Sequence, residues 1–158
     1  MGLPFYGGAW AHGSYPLDNC VCRCDTTYME YIHDNHAVHL VVYHIIWCPR
    51  RRRKVLNGPV ASRLEQIIHE VANEHDWKII QLAIQPDHVH LFIRTDPYIL
   101  PTDIARLIKG RSSHDMRKEF PHLARMQSLW TRSAFYSTAG NVCSETIQKY
   151  IERQSKRD

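Results

Sequence analysis

No apolar run in the 158-residue chain approaches the ~18 residues that a membrane-spanning helix needs, and the N-terminus lacks the basic-then-apolar layout of a secretory signal. These absences argue against a membrane or secreted protein, and the expected location is the cytoplasm. Cysteine is sparse, with five in all. An odd count, with Cys48 and Cys143 inside expected structured segments, indicates free thiols in a reducing compartment rather than a disulfide scaffold. Cys20, Cys22 and Cys24 could in principle hold a metal. No second cysteine pair stands nearby at zinc-ribbon spacing, so a loosely docked arm is the preferred reading. The hydrophobic content of 44% is enough for one core. Net charge is only +4, so its clustering matters more than its size. Arg50, Arg51, Arg52, Arg53 and Lys54 are consecutive, and a second basic group holds Lys109, Arg111, Arg117 and Lys118.

Two regions of different character divide the chain. Residues 1–28 mix glycine, proline and aromatics with no lasting helix or strand period, and are expected to form an irregular extension. Met29, where regular patterning begins, is a candidate start of translation, and residues 29–158 are expected to make one domain. Ala37 to Cys48 is rich in Val, Ile, Tyr and His with apolar content on both faces, and reads as an interior strand closed by Pro49. Over Pro59 to His75 the apolar residues Val60, Leu64, Ile67, Ile68, Val71 and Ala72 recur at helical spacing. Lys78 to Gln85 reads as a second strand, and a Pro86-Asp87 turn leads into a third, His88 to Thr95, forming a hairpin. Thr102 is the expected cap of a helix running past Gly110 towards Phe120, where Pro121 stops it. Ser133 to Thr138 is the expected fourth strand, and Ser144 the cap of a final helix. The first six elements have the order of a ferredoxin-like split βαβ sandwich: an α+β fold whose antiparallel sheet carries two helices on one face.

Chemistry concentrates at two places. In Pro86-Asp87-His88-Val89-His90-Leu91, the period of 2 puts His88 and His90 on one strand face and Val89 on the other. Two imidazoles aimed together are a half-built metal site, and a catalytic ion needs a further ligand. In the final helix, Tyr150 and Gln154 are four residues apart and share a face. A metal-binding strand with a tyrosine-bearing helix suggests phosphoryl transfer through a phosphotyrosine.

These motifs, with Trp47-Cys48-Pro49-Arg50, Lys109-Gly110-Arg111-Ser112-Ser113 and Leu129-Trp130, resemble the single-tyrosine HUH transposases of the insertion-sequence 200/605 class, from Met29 onward. The resemblance implies that Gln154 completes a Mg²⁺ or Mn²⁺ site with His88 and His90, and that Tyr150 is the nucleophile. It further implies that the protein is a nucleoid-associated homodimer, sharing active sites between subunits. It would cleave and rejoin single-stranded DNA at hairpin-bearing ends through a 5′-phosphotyrosine. Arg50 to Lys54, Lys109 and Arg111 are the candidate phosphate contacts; Trp47, Trp130 and Tyr136 are candidates for base stacking, the two tryptophans alternatively for the core, and Tyr136 is a competing nucleophile ranked behind Tyr150 because it sits in an expected strand without a partnered glutamine.

Three other readings compete with this one. A His-x-His-x-His nucleotide hydrolase lacks its third histidine, since Phe92 stands there. A non-catalytic nucleic-acid-binding ferredoxin-like domain would want stacking aromatics where the third strand carries histidines. A domesticated palindrome-processing endonuclease would share the same chemistry. Deleting residues 1–28 is expected to leave DNA cleavage intact, and an insoluble or inactive product would assign that segment to the fold.

Overall fold

The computed structural model describes residues 32–33 and 38–139. Along the chain lie β1 (Ile32–His33), β2 (Val38–His39), β3 (Val41–Trp47), a 3-10 turn (Arg50–Arg52), α1 (Pro59–Glu74), β4 (Lys78–Gln85), β5 (His88–Thr95), α2 (Pro101–Glu119), α3 (Pro121–Ala124) and β6 (Phe135–Ala139). β1 and β2 form a small antiparallel ladder. The other four strands make one sheet in the order β4-β5-β3-β6, with every neighbouring pair antiparallel. This is an α+β fold with a four-stranded antiparallel sheet and two main helices, and its strand order is the one two interleaved βαβ units produce.

Parity within the strands divides the sheet. In the central pair, Ile45 faces Leu91 and Trp47 faces Val89, and all four side chains are buried in the core with α1 and α2. On the opposite face His44 pairs with Phe92 and Ile46 with His90. The apolar stripe expected for α1 is the buried one: Val60, Leu64, Ile67, Ile68, Val71 and Ala72. Pro59 opens that helix at a position where its missing N–H has no intrahelical role. α2 contributes Ile104, Ala105, Ile108 and Met116 to the same core. Arg63 of α1 reaches Glu119 of α2 at 3.0 Å, tying the two helices at the surface.

The first helix, the hairpin and its Pro86-Asp87 turn lie where the sequence places them, whereas the interior strand expected over Ala37 to Cys48 is shorter, Val41–Trp47, with Val38–His39 paired to β1 in the separate ladder. Three further local expectations need correction. Thr102 does not cap α2; Leu100 holds the cap position with extended backbone, and Pro101 takes the first turn. Pro121 does not merely end a helix. α2 ends at Glu119, Phe120 is extended, and Pro121 starts the one-turn α3 because proline suits a first helical turn. The last strand starts at Phe135 rather than Ser133, whose carbonyl oxygen accepts hydrogen bonds from Lys109 and Thr131. The expected final helix from Ser144, with Tyr150 and Gln154, lies outside the described residues, as do Cys143 and residues 1–28.

Ser112 has a structural role. It is fully buried, its hydroxyl donates to the Ile108 carbonyl at 2.6 Å, and it accepts the indole N–H of Trp130 at 3.0 Å. Ser112→Ala leaves a buried donor without its partner, and is expected to lower unfolding free energy by about 1–3 kcal/mol in urea melts. Ser113→Ala, at the half-buried neighbouring position, is expected to stay within about 0.5 kcal/mol.

Candidate functional site

The hairpin between β4 and β5 delivers the histidine pair. Asp87 in the tight turn and His88 at the first position of β5 are neighbours, and His88 Nδ1 lies 2.7 Å from Asp87 Oδ1. Arg52 closes on the same carboxylate, its Nη2 3.0 Å and its Nε 3.1 Å from Asp87 Oδ2. Burial pushes the Asp87 carboxyl up, but hydrogen bonds from His88 and Arg52 outweigh it and the net shift is downward. Two residues on, His90 sits on the same face with its ring centroid 5.0 Å from that of His88. His90 is almost wholly buried, and its Nδ1 lies 3.0 Å from Nε2 of His44 on β3. The His44 ring stacks on Phe92 with centroids 4.0 Å apart. Burial pushes the His44 pKa down to about 4, so this imidazole is neutral at ordinary pH.

The donor set fits a divalent ion. Both histidines share one face, and in each ring Nδ1 lies within hydrogen-bond distance of a protein group, Asp87 Oδ1 for His88 and His44 Nε2 for His90. Among the described residues no cluster of three or more His, Cys, Asp or Glu could hold a metal ion. Gln154, the expected further ligand, lies outside them, as does Tyr150.

The basic run begins as a 3-10 turn in which Arg51 and Arg52 have positive φ, 60° and 49°. Such backbone costs non-glycine residues roughly 1–2 kcal/mol each, so neighbouring structure must hold it. Arg50 N–H donates to the Leu129 carbonyl at 2.8 Å, Thr131 N–H donates to the Cys48 carbonyl at 3.1 Å, and Pro49 and Trp130 form an isolated β-bridge. The segments Trp47 to Arg50 and Leu129 to Thr131 thus clamp each other. Arg50, Arg51, Arg53, Arg125, Gln127 and Ser128 line a cavity of about 130 Å³ beside the turn. Arg51, Arg53 and Lys54 are exposed.

The other sequence candidates separate. Arg111 is engaged on the helix surface, with Asp115 at 2.7 Å and Glu74 at 3.9 Å. Lys109 donates to the carbonyls of Arg132 and Ser133 at 3.3 and 3.2 Å, and burial pushes its pKa down. Trp47 and Trp130 are not stacking platforms: both are buried and meet edge to face in the core, because the helices cover that side of the sheet. Tyr136 is 36% exposed on the edge strand β6 and borders an open cavity of about 420 Å³ with Arg106, Lys109 and Arg132. Sequence reasoning passed over His44, Asp87 and Arg125 as site residues. A histidine amid an apolar interior strand was the one available signal for His44.

Residues 37–154, well over half of the chain, match the family model described as "Transposase IS200 like". The chain is 33% identical over 124 residues to the ISDra2 transposase TnpA of Deinococcus radiodurans, covering 77% of this chain and 89% of that protein. It is 25% identical to the transposase for insertion sequence element IS200 of Salmonella typhimurium, covering 73% of this chain and 78% of that one. A crystal structure of a Deinococcus radiodurans R1 protein assigned as a transposase superposes with a TM-score of 0.65 at 31% identity, over 78% of this chain and 97% of that one. The REP-associated tyrosine transposase, solved bound to a REP hairpin, shares the fold alone, with a TM-score of 0.51 at 16% identity over 75% of this chain and 67% of that one. With the family model matched across sheet and helices and a relative aligned over most of both chains, this chain belongs to the IS200-like transposase family.

Proposed function

We propose that this chain is a metal-dependent single-stranded DNA transposase, cleaving and rejoining strands at hairpin-bearing ends with Tyr150 as nucleophile. The observation that carries this reading is the His88/His90 pair in a member of a transposase family: two imidazoles on one face, each with Nδ1 engaged by the protein. His88, His90 and Gln154 would hold Mg²⁺ or Mn²⁺, in keeping with a family whose members are metal-dependent. When bound, the ion supplies charge neutralisation and orientation at the scissile phosphate.

The protein's own residues do the rest. Tyr150 Oη forms a bond to phosphorus as the bond to the 3′ oxygen breaks, and the phenol proton is transferred, in net terms, to the departing oxygen. The products are a 5′-phosphotyrosine and a free 3′-OH. A phenol, with an ordinary pKa of about 10, is a better leaving group than a sugar alkoxide, so another 3′-OH can reverse the step without ATP. Arg52 bonds the carboxylate that also holds His88, so the basic turn lies against the entrance to the histidine strand. A phosphate backbone drawn to Arg50, Arg51, Arg53 and Lys54 would run next to the metal ligands. Lys109 and Arg111 sit in the second basic group, where Lys109 shares a cavity with the exposed Tyr136, a candidate for stacking on an unpaired base. The fold-sharing REP-associated transposase illustrates that such a frame can carry a hairpin. The active unit is a homodimer in which the Tyr150 helix of one subunit serves the histidines of the other.

Tyr150→Phe is expected to abolish the covalent adduct with a single-stranded oligonucleotide on a denaturing gel while hairpin binding persists; a surviving adduct would move the nucleophile elsewhere. His88→Ala and His90→Ala are each expected to remove Mg²⁺-dependent cleavage, as chelation by EDTA should in the unmodified protein. Wild-type cleavage by either variant would refute the metal assignment.

A further inference from the structure

A strand can aim two histidines at one point without deciding which ring nitrogen each offers. That choice follows from what the other nitrogen meets. His88 Nδ1 lies 2.7 Å from Asp87 Oδ1, and a carboxylate oxygen only accepts, so the proton sits on Nδ1 and the lone pair on Nε2. Asp87 is itself held from the other oxygen by Arg52 at 3.0 Å. His90 has no adjacent carboxylate in sequence. Its Nδ1 instead meets His44 Nε2 at 3.0 Å, across the β3–β5 pair.

His44 is well placed to keep that contact. Its ring lies nearly parallel to Phe92, at 7° and 4.0 Å between centroids, and meets Phe135 edge-on at 6.3 Å. Side chains from β5 and β6 therefore restrict its rotation. A ring held this way can accept the Nδ1–H hydrogen bond of His90 at a fixed distance, where a flexible side chain would lose entropy to do so.

We propose that His44 and Asp87 are positioning residues for the two candidate metal ligands, accepting the Nδ1–H of His90 and His88 and so committing both rings to coordinate through Nε2. The proposal rests on the metal reading of His88 and His90 and deepens it. The two partners differ in kind: Asp87 offers a carboxylate oxygen beside its histidine in sequence, and His44 offers a ring nitrogen brought in by strand pairing. Orienting partners of this type commonly hold about 10–100-fold in metal affinity.

The test uses the full chain in three forms: wild type, His44→Phe and His44→Gln. Phe keeps a flat ring on Phe92 without an acceptor, and Gln carries an amide oxygen to about the place of the ring Nε2. Mn²⁺ affinity is read by electron paramagnetic resonance of the free ion, and the His90 tautomer by ¹⁵N NMR of the metal-free protein. The expected result is the Nδ1–H tautomer at His88 and His90 in wild type. His44→Phe should weaken Mn²⁺ binding by about 10–100-fold and release His90 into both tautomers, and His44→Gln should restore both readouts to within a few-fold. Equal impairment of the two variants, or wild-type affinity in His44→Phe, would overturn the proposal. An Nε2–H tautomer of His90 in the wild-type protein would overturn it even if His44→Phe fails to fold. If wild type binds no Mn²⁺ yet shows Nδ1–H at both rings, the metal reading fails and the hydrogen-bond assignment stands.

Discussion

The register between β3 and β5 is the constraint on which both core and site depend. With Ile45 opposite Leu91 and Trp47 opposite Val89, one face meets the helices; with His44 opposite Phe92 and Ile46 opposite His90, the other face collects the imidazoles. Strand side chains alternate, so a slip of one residue would turn the histidines into the apolar core and push leucine and isoleucine out. Burying Ile45, Val89, Leu91 and Ile93 against α1 and α2 therefore also sets where His88 and His90 point. The stability of the core and the geometry of the site are not separable here.

A second constraint governs the basic turn. Two arginines in left-handed backbone would relax in an isolated peptide. They are held because Leu129 to Thr131 bonds back onto Cys48 and Arg50, and Trp130 is in turn locked to Ser112 on α2. Residues that look like isolated motifs along the chain thus form one buttress, running from α2 through Trp130 to the arginine turn and then through Arg52 to Asp87 and His88. Ser112 and Trp130, two residues that carry the family resemblance, are parts of this frame.

Legibility followed the range of the interaction. The limits of α1, β4 and β5, and the parity of His88 and His90, rest on periodicity and turn chemistry within a few residues, and the sequence carries those in full. Caps were less legible, because Pro101 and Pro121 each suit a first helical turn as well as a stop. Side-chain roles were least legible. Arg111 belongs to a basic cluster in sequence and pairs with Asp115 and Glu74 in space, while Trp47 and Trp130, plausible for stacking by type, are enclosed by the helix layer.

By itself, the sequence determined the succession of the four sheet strands and the two main helices, the common face of the two histidines and the family, since each is written in local spacing. The tertiary structure alone decided that His44 meets His90, that Arg52 meets Asp87, and which cations remain exposed. His44 and His90 are 46 residues apart, and Arg52 and Asp87 are 35 apart. Contacts over such separations depend on strand register and on how segments clamp one another, which no local pattern encodes.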